Sequence, residues 1–413
     1  MKIPALVLTM LAMSAAFALA AEITIDWDRA RELHQRASRG ETLSPEDATY
    51  YAEAKKQFEA RQQSRPQNPE DGFDWKRAMD LHRRKEQGEK LSDDDAKFLA
   101  EAMKRHEQQR GGGGERRPEA ARDFKPSEAS KGLVPLTELT ARYRQWDGGL
   151  YGAGSNEVPP ALQSKASKAI ASIQPLNADG KPASDGRIVL MSIGMSNTTR
   201  EFSTFVRLIE NDERKSPQVL VVDGAQGGKA AHQWTEAGPW DVADERLKQA
   251  GATPLQVQVL WIKQANIAPS QSSEEAVGLL QDDLQVIVTM AQQRYPNARL
   301  AFLSSRIYAG YAQSRLNPEP YAYEGAFAVR GLIQKQINGD PALAEGKASL
   351  LLWGPYLWAA GATARKSDGL AWTPQDFAGD GTHPSESGAQ KVAQQLTTFF
   401  LNDPNAKPWF AKK

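Results

Sequence analysis

The chain has 413 residues, and its 51 Lys and Arg residues balance its 51 Asp and Glu residues at a formal net charge of zero. A dedicated nucleic-acid binder needs a basic excess to neutralise phosphates, so this balance argues against nucleic acid as a partner. The chain has no cysteine, which excludes disulfides, thiolate nucleophiles and cysteine zinc sites. Its length predicts about two or three folded units.

The first 20 residues are typical of an export signal. Lys2 supplies a positive start, Ala5–Ala18 is almost entirely apolar, and Ala18-Leu19-Ala20 offers the small residues of a cleavage site. No later stretch reaches about 18 uninterrupted apolar residues, the length needed to span a bilayer. We therefore expect residues 1–20 to be a signal peptide and the mature protein to be periplasmic or extracellular, with no integral membrane segment.

Residues 22–108 contain an internal repeat. Asp26-Trp27-Asp28-Arg29-Ala30 returns as Asp74-Trp75-Lys76-Arg77-Ala78, and the matching pairs all lie 48 residues apart without a gap. Apolar residues at helical spacing and a strong helix start at Ser44-Pro45-Glu46-Asp47 predict a helical hairpin in each copy. The module is expected to dock or space an unknown envelope partner, with no chemistry of its own.

Two histidines of this repeat raise the question of a metal site. His34 and His82 occupy equivalent positions in the two copies. Each stands beside a core leucine on a charge-rich helix, and no second ligand follows at a spacing typical of metal sites. Packing is therefore the preferred interpretation, and we expect no metal.

Residues 109–132 separate this module from the rest of the chain. Gly111–Gly114 is a run of four glycines, flanked by charged residues and prolines. Such a segment cannot bury enough apolar surface to fold, so it predicts a flexible linker.

From residue 133 to 413, short apolar runs alternate with helical patterns. Alternation of this kind predicts a three-layer α/β/α sandwich with a mainly parallel sheet, preceded here by the small all-helical module. Ligands of such sheets bind at the carboxyl ends of the strands, so those ends are the place to search. The predicted strands are 187–193, 218–222, 257–262, 300–303 and 350–353, and the predicted helices are 199–211, 273–294, 323–336 and 387–400.

Three strand ends carry polar or glycine residues. Ser196 follows the first strand, Gly227 and Gly228 follow the second, and Asn266 follows the third. A serine at a strand–helix turn has an exposed hydroxyl, and the helix N-terminus beside it favours negative charge. Each feature also has an ordinary explanation, as a helix cap, a tight turn or a capped loop. Together they predict one crevice lined by hydrogen-bond donors.

A histidine and a carboxylate stand together near the C-terminus. His383 follows Asp380 by three residues in a glycine-containing loop before the last helix. A serine hydrolase needs a histidine base that a carboxylate orients, and this loop supplies both. His232, the other histidine of this region, has no such neighbour and is interpreted as a packing residue or a substrate contact.

These sites, in this order, resemble the SGNH hydrolase family, also called GDSL-type esterases. The resemblance covers roughly residues 185–400, and Asp380-Gly-Thr-His-Pro384 is its most specific match. It implies a flavodoxin-like sheet, Ser196 as nucleophile, and Asp380 with His383 as the other triad members. It also implies an oxyanion hole formed by the backbone N–H groups of Ser196 and Gly228 and the side chain of Asn266. In two places the chain departs from the family: Met195 replaces an aspartate, and the third block lacks its glycine.

The resemblance implies an exported serine esterase that forms an acyl-enzyme on Ser196 and needs no cofactor. A small-molecule or glycan ester is the expected substrate, with an acetylated carbohydrate first. Asn197, Gly227, His232 and Trp372 are candidate substrate contacts, and tryptophan faces suit sugar rings. Two alternatives stay open: a non-catalytic glycan- or envelope-binding protein, and an acyltransferase that uses the same triad. The tryptophans considered for stacking, with core packing as the alternative, are Trp234, Trp240, Trp353, Trp358 and Trp372.

Overall fold

The computed structural model describes residues 43–63, 124–267, 269 and 271–412, together with isolated positions and short runs between residues 33 and 102. The predicted signal peptide, His34, His82 and the glycine run lie outside the described residues. The chain divides into two compact units, Met1–Glu115 and Arg116–Lys413. Among the described residues, no helix has the length and apolar character that crossing a bilayer requires.

The described parts of the first unit include helix α1 (Pro45–Gln63). The hydroxyl of Ser44 accepts a hydrogen bond from the Asp47 N–H at 3.1 Å, which caps the start of this helix. The same bond recurs in the second copy of the repeat, where Ser92 accepts from the Asp95 N–H at 3.2 Å. The two copies therefore begin a helix at equivalent positions with the same side-chain cap.

The second unit is built around a sheet of five parallel strands in the order β2-β1-β3-β4-β5. Every predicted strand is present, and no strand end differs from its prediction by more than one residue. This order reverses at β1, so the loops after β2 and β3 flank the loop after β1 at the carboxyl edge. The strands are β1 (Ile188–Gly194), β2 (Val219–Asp223), β3 (Val257–Lys263), β4 (Leu300–Ser304) and β5 (Leu350–Trp353).

Helices cover both faces of this sheet, which confirms the predicted three-layer fold. Phe202 stacks on Trp261 at 5.4 Å, and Phe399 meets Phe302 edge-on at 5.1 Å between ring centroids. Trp261 and Phe302 are partners in the sheet, so helices α3 (Ser196–Ile209) and α7 (Glu386–Asn402) cover the same face. Right-handed crossovers place α4, α5 and α6 on the other face. The helices are α2 (Pro160–Ala171), α3 (Ser196–Ile209), α4 (Ala237–Gln249), α5 (Ser273–Arg294), α6 (Tyr321–Ile337), α7 (Glu386–Asn402) and α8 (Lys407–Phe410).

The tryptophans considered as sugar-stacking surfaces lie in the core. Trp234, Trp240, Trp358 and Trp372 have no exposed surface, and Trp353 is 5% exposed. The Trp372 indole N–H donates to the Leu357 carbonyl at 2.9 Å, so both its ring and its polar atom are already in use. The prediction of Trp372 as a substrate contact is therefore wrong, because this side chain is packed inside the domain.

The end of the predicted linker packs on the second unit. The Ser127 N–H donates to the Gly310 carbonyl at 2.8 Å. Ser130 is 6% exposed and accepts a hydrogen bond from the Tyr308 hydroxyl at 2.9 Å. Residues 124–132 thus contact the loop that follows β4, although the sequence placed them within the 109–132 linker.

Candidate active site

Ser196 lies at the turn between the central strand β1 and helix α3. It is the first residue of α3, so its side chain and N–H stand at the positive end of the helix. The turn is tight: a Cβ on Gly194 would lie 2.5 Å from the Lys263 carbonyl oxygen, a contact that only glycine avoids. The Thr198 hydroxyl stabilises the same turn, because it donates a hydrogen bond to the Lys263 carbonyl at 2.7 Å.

His383 and Asp380 lie in the loop that precedes α7. The loop closes on itself, because the Ala378 N–H donates to the His383 carbonyl at 2.8 Å. Gly381 has φ +64°, and a Cβ there would lie 1.9 Å from the Tyr311 carbonyl oxygen. Glycine at this position is what lets the loop pass so close to the neighbouring chain.

The three side chains form one hydrogen-bonded line. Ser196 Oγ is 2.8 Å from His383 Nε2, and His383 Nδ1 is 2.5 Å from Asp380 Oδ2. Ser196 is half-buried and the His383 side chain is 17% exposed, so the line is sheltered yet open to a ligand. The residues predicted as nucleophile, base and orienting carboxylate thus stand within hydrogen-bond reach of one another.

Asp380 is held in its charged form. Partial burial raises the pKa of this carboxyl, but the hydrogen bonds from the His383 ring and backbone and from the Thr382 N–H outweigh burial and hold the pKa below its ordinary value. Asp380 Oδ1 accepts both backbone N–H groups at 3.0 Å. A carboxylate that stays ionised can fix the proton of the imidazole on Nδ1 and leave Nε2 free to accept a proton.

The loops that carry the predicted oxyanion donors flank Ser196. The Gln226 N–H donates to the Gly194 carbonyl at 2.9 Å, which joins the loop after β2 to the nucleophile turn. Gly228 follows two residues later and is exposed. The loop after β3, which carries Asn266, is joined to the loop after β2 by a bond from the Ala231 N–H to the Ala265 carbonyl at 3.1 Å.

Asn266 is oriented by two hydrogen bonds. Its Oδ1 accepts from the His232 backbone N–H at 3.3 Å, and its Nδ2 donates to Asp283 Oδ2 at 2.8 Å. An amide nitrogen carries two hydrogens, so one donor remains for a ligand. Burial raises the pKa of Asp283, while the bond from Asn266 lowers it. Sequence reasoning missed Asp283, because it lies on α5 and nothing local marks it.

Of the remaining candidate contacts, two are exposed and one is not. Gly227 and His232 are exposed in the loop after β2. Asn197 is fully buried, and its Nδ2 donates to the Thr382 carbonyl at 3.1 Å. Asn197 is therefore corrected from a candidate substrate contact to a residue that holds the loop of Asp380 and His383 against helix α3.

A buried ion pair links helix α3 to the sheet, and the sequence did not indicate it. Glu201 of α3 and Lys263 at the end of β3 have no exposed side-chain surface, and their charged atoms are 2.5 Å apart. Burial lowers the pKa of Lys263 to about 8, although Glu201 partly opposes that shift. Burial raises the pKa of Glu201, with Lys263 opposing. The pair ties the helix that carries Ser196 to the neighbouring strand.

No group of three or more histidine, aspartate or glutamate side chains is arranged to hold a metal ion in the described part of the chain. No protein-family model matches the chain, and no functionally curated protein matches it.

Several solved structures are similar to the chain. A carbohydrate esterase family 3 structure from Talaromyces cellulolyticus is 14% identical, with 51% of this chain and 94% of that chain covered and a TM-score of 0.32. A GDSL-like lipase from Bacteroides thetaiotaomicron is 11% identical, with 57% and 95% covered and a TM-score of 0.28. The periplasmic domain of a lipopolysaccharide acetyltransferase from Salmonella ser. Paratyphi A is 10% identical, with 60% and 99% covered and a TM-score of 0.29.

Proposed function

We propose that this chain is an SGNH-type serine esterase that cleaves a carboxylic ester through an acyl-enzyme on Ser196. One observation carries the proposal: Ser196 Oγ, His383 and Asp380 form an unbroken line of hydrogen bonds of 2.8 and 2.5 Å at the carboxyl edge of the sheet. A buried structural serine has no need of a histidine base with its own carboxylate.

The chemistry follows from this geometry. His383 Nε2 takes the proton of Ser196 as Oγ attacks the ester carbonyl, and a tetrahedral intermediate forms. Collapse of the intermediate breaks the bond to the alcohol, which leaves with the proton that His383 returns. Water then attacks the acyl-enzyme with the same base, releases the acid and restores Ser196. Asp380 keeps its charge throughout and stabilises the imidazolium.

The developing oxyanion needs donors beside Ser196. We assign this role to the N–H groups of Ser196 and Gly228 and to the free N–H of Asn266. The N-terminus of α3 adds a favourable field at the same point. Asp283 and the His232 N–H hold the Asn266 amide in one orientation, so it needs no reorganisation before the oxyanion forms.

For the substrate we propose an ester of a carbohydrate, with acetate as the acyl group. The protein is proposed to act after export, in the periplasm or outside the cell, with residues 22–108 as a helical module that docks an envelope partner. The module's two copies begin a helix with the same serine cap, at Ser44 and Ser92.

The two alternatives differ in what they require of the triad. A non-catalytic binding protein gains nothing from an aligned base and its orienting carboxylate. An acyltransferase needs the same acyl-enzyme and differs only in the acceptor, since a sugar hydroxyl replaces water in the second step.

The test is ester turnover with product analysis. The wild-type protein should release p-nitrophenol and acetate from p-nitrophenyl acetate, and His383→Gln should abolish both. Glu386→Gln is the matched control, because Glu386 is exposed three residues away and forms none of the triad's hydrogen bonds. Acetylated sugar in place of free acetate, when an oligosaccharide is added, would identify a transferase. No turnover of any ester by the folded wild type would overturn the proposal.

A further inference from the structure

Residues 124–130, which we call the strap, lie against the loop that follows β4. Phe124 is half-buried, and its ring stacks on that of Tyr311 with the centroids 6.4 Å apart. Further along the strap, the Ser127 N–H donates to the Gly310 carbonyl at 2.8 Å. The strap therefore begins with one apolar and one polar contact to the same short loop.

The end of the strap is held by a buried hydrogen bond. Ser130 is 6% exposed, and its hydroxyl accepts from the Tyr308 hydroxyl at 2.9 Å and donates to the Ser127 carbonyl at 2.7 Å. The fit is close, because a Cβ on Gly310 would lie 2.0 Å from the Tyr308 hydroxyl oxygen and 2.8 Å from Ser130 Oγ. Close-packed segments transmit displacement, so a shift of the strap must move the loop beneath it.

Residues 308–313, which we call the support loop, pack in turn against residues 377–384, which we call the base loop. The Tyr311 ring meets the Phe377 ring edge-on with the centroids 5.5 Å apart. A Cβ on Gly381 would lie 1.9 Å from the Tyr311 carbonyl oxygen, so the two loops are in direct contact there. The residue that stacks on the strap is therefore also the residue that supports the base loop.

A hydrogen bond carries the same support to the acid of the proposed triad. The Gln313 N–H donates to the Asp380 carbonyl at 2.9 Å, and the Gln313 side chain donates to the Tyr311 carbonyl at 3.0 Å. The Asp380 carboxylate lies 2.5 Å from His383 Nδ1. A displacement of the support loop is thus passed to Asp380, and from Asp380 to the imidazole.

The proposed triad depends on such support because its members come from different segments. Ser196 lies at the start of α3, whereas His383 lies in the base loop, and their side chains are 2.8 Å apart. Proton transfer needs a separation of about 2.6–3.2 Å. A misplacement of about 1 Å can lower the rate by about 10². What holds the base loop therefore affects turnover.

We propose that the strap positions Asp380 and His383 for proton transfer, with Phe124 and Ser130 as positioning residues that act through the support loop. The inference rests on the proposed esterase, because it assigns these residues to the turnover of the same site. It gives a segment that the sequence placed in a flexible linker a part in setting kcat.

The first arm of the test is steady-state turnover of p-nitrophenyl acetate by the full-length protein. Phe124→Ala removes the stacked ring, and kcat should fall about tenfold with KM little changed, because the base moves and the substrate contacts stay. Phe124→Leu keeps apolar bulk and should recover most of the lost kcat. A kcat for Phe124→Ala within twofold of wild type, or a loss confined to KM, overturns the inference.

Phe399→Ala is the matched control for loss of an aromatic contact. Phe399 is also half-buried and meets Phe302 edge-on, but it lies near the end of α7, away from the base loop. Its kcat should equal that of wild type at a temperature where both proteins are folded. An equal fall of kcat in Phe399→Ala and Phe124→Ala would show general destabilisation and overturns the inference.

Ser130→Ala tests the other end of the strap, and it gives a result even where Phe124→Ala unfolds the protein. It removes the acceptor of the Tyr308 hydroxyl, and kcat should fall at least threefold. Ser349→Ala is its control, because Ser349 is 3% exposed and hydrogen-bonded to Gln292 at the amino edge of the sheet. A folded Ser130→Ala protein with the kcat of wild type, or an equal fall in Ser349→Ala, overturns the inference.

The second arm uses NMR and needs no turnover. The proton between His383 Nδ1 and Asp380 should give a strongly downfield resonance, assigned by its loss in His383→Gln. The resonance should shift or broaden in Phe124→Ala and stay in place in Phe399→Ala. An unchanged resonance in Phe124→Ala overturns the strap, and with wild-type turnover present it leaves the esterase intact. A resonance that responds to Phe124→Ala in a protein that cleaves no ester overturns the esterase and leaves the strap.

Discussion

Replacement of Asp380 by asparagine tests the proposed triad, because it changes one carboxylate oxygen into an amide nitrogen and keeps the shape of the side chain. In the wild type, Asp380 Oδ1 accepts the backbone N–H groups of Thr382 and His383, and Oδ2 faces His383 Nδ1. An asparagine has one oxygen for the two backbone donors, which leaves its NH₂ group facing Nδ1. Nδ1 must then accept, so the imidazole proton moves to Nε2, the nitrogen that faces Ser196.

The magnitude follows from this change of tautomer. A histidine with its proton on Nε2 cannot take the serine proton, although the proposed oxyanion donors stay in place. The equivalent change in a protease with a Ser-His-Asp triad lowers kcat by about 10⁴, and we expect about 10³–10⁴ here. Each factor of ten is about 1.4 kcal/mol, so the barrier should rise by roughly 4–5.5 kcal/mol.

The assay is steady-state turnover of p-nitrophenyl acetate, with Glu386→Gln as the matched acid-to-amide control. The loss should appear in kcat with little change in KM, because Asp380 acts through His383 and not on the substrate. At neutral pH the melting temperature should fall only slightly, because the carboxyl is 37% exposed and solvent screens its interactions. An Asp380→Asn protein within tenfold of wild type, or an equal loss in Glu386→Gln, would refute the assignment.

Three further predictions concern the nucleophile, its support and the domain boundary, and a fourth concerns pH. Ser196→Ala should lower ester turnover by roughly 10³-fold or more without unfolding the protein; retained turnover contradicts the assignment. Lys263→Met should lower the unfolding free energy, measured in urea, by about 3–5 kcal/mol, because Glu201 stays buried without its cation. Adding Glu201→Leu to the same chain should restore most of the lost unfolding free energy. A Lys263→Met protein as stable as wild type would disprove the stabilising role of the ion pair. A fragment 116–413 should keep its turnover, whereas 133–413 should melt at lower temperature because it loses the bonds of residues 127 and 130; equal melting temperatures would show that those bonds are unimportant. The folded-state pKa of Asp380 is lowered, so the wild type should be more stable than Asp380→Asn above pH ~4. This difference in unfolding free energy should disappear as pH falls through the folded pKa. A difference that grows with acidification would contradict the lowered pKa.

Local sequence was enough to predict the sheet and to select the three residues that the structure brings into one line of hydrogen bonds. Five apolar runs, each bounded by turn residues, marked the strands, and a parallel sheet brings their carboxyl ends to one edge. Ser196 and His383 are 187 residues apart, but each carries a local sign of its role. Ser196 lies at a strand–helix turn, and His383 has Asp380 in the same loop.

The features that sequence did not predict depend on contacts between distant segments. Glu201 and Lys263 each look like ordinary charged residues until α3 packs beside β3. Asp283 orients Asn266 from another helix. Trp372 was considered as a sugar contact because composition does not distinguish a surface aromatic from a buried one.

The most direct test of the central claim is a fluorophosphonate probe followed by peptide mass spectrometry. Such a probe reacts with a serine hydroxyl that a neighbouring base activates. We expect one adduct, on Ser196, in the folded wild type, with labelling lost in His383→Gln and after denaturation, and retained in Glu386→Gln. An unlabelled folded protein, or an adduct on another residue that persists in His383→Gln, would contradict the claim that Ser196 is an activated nucleophile.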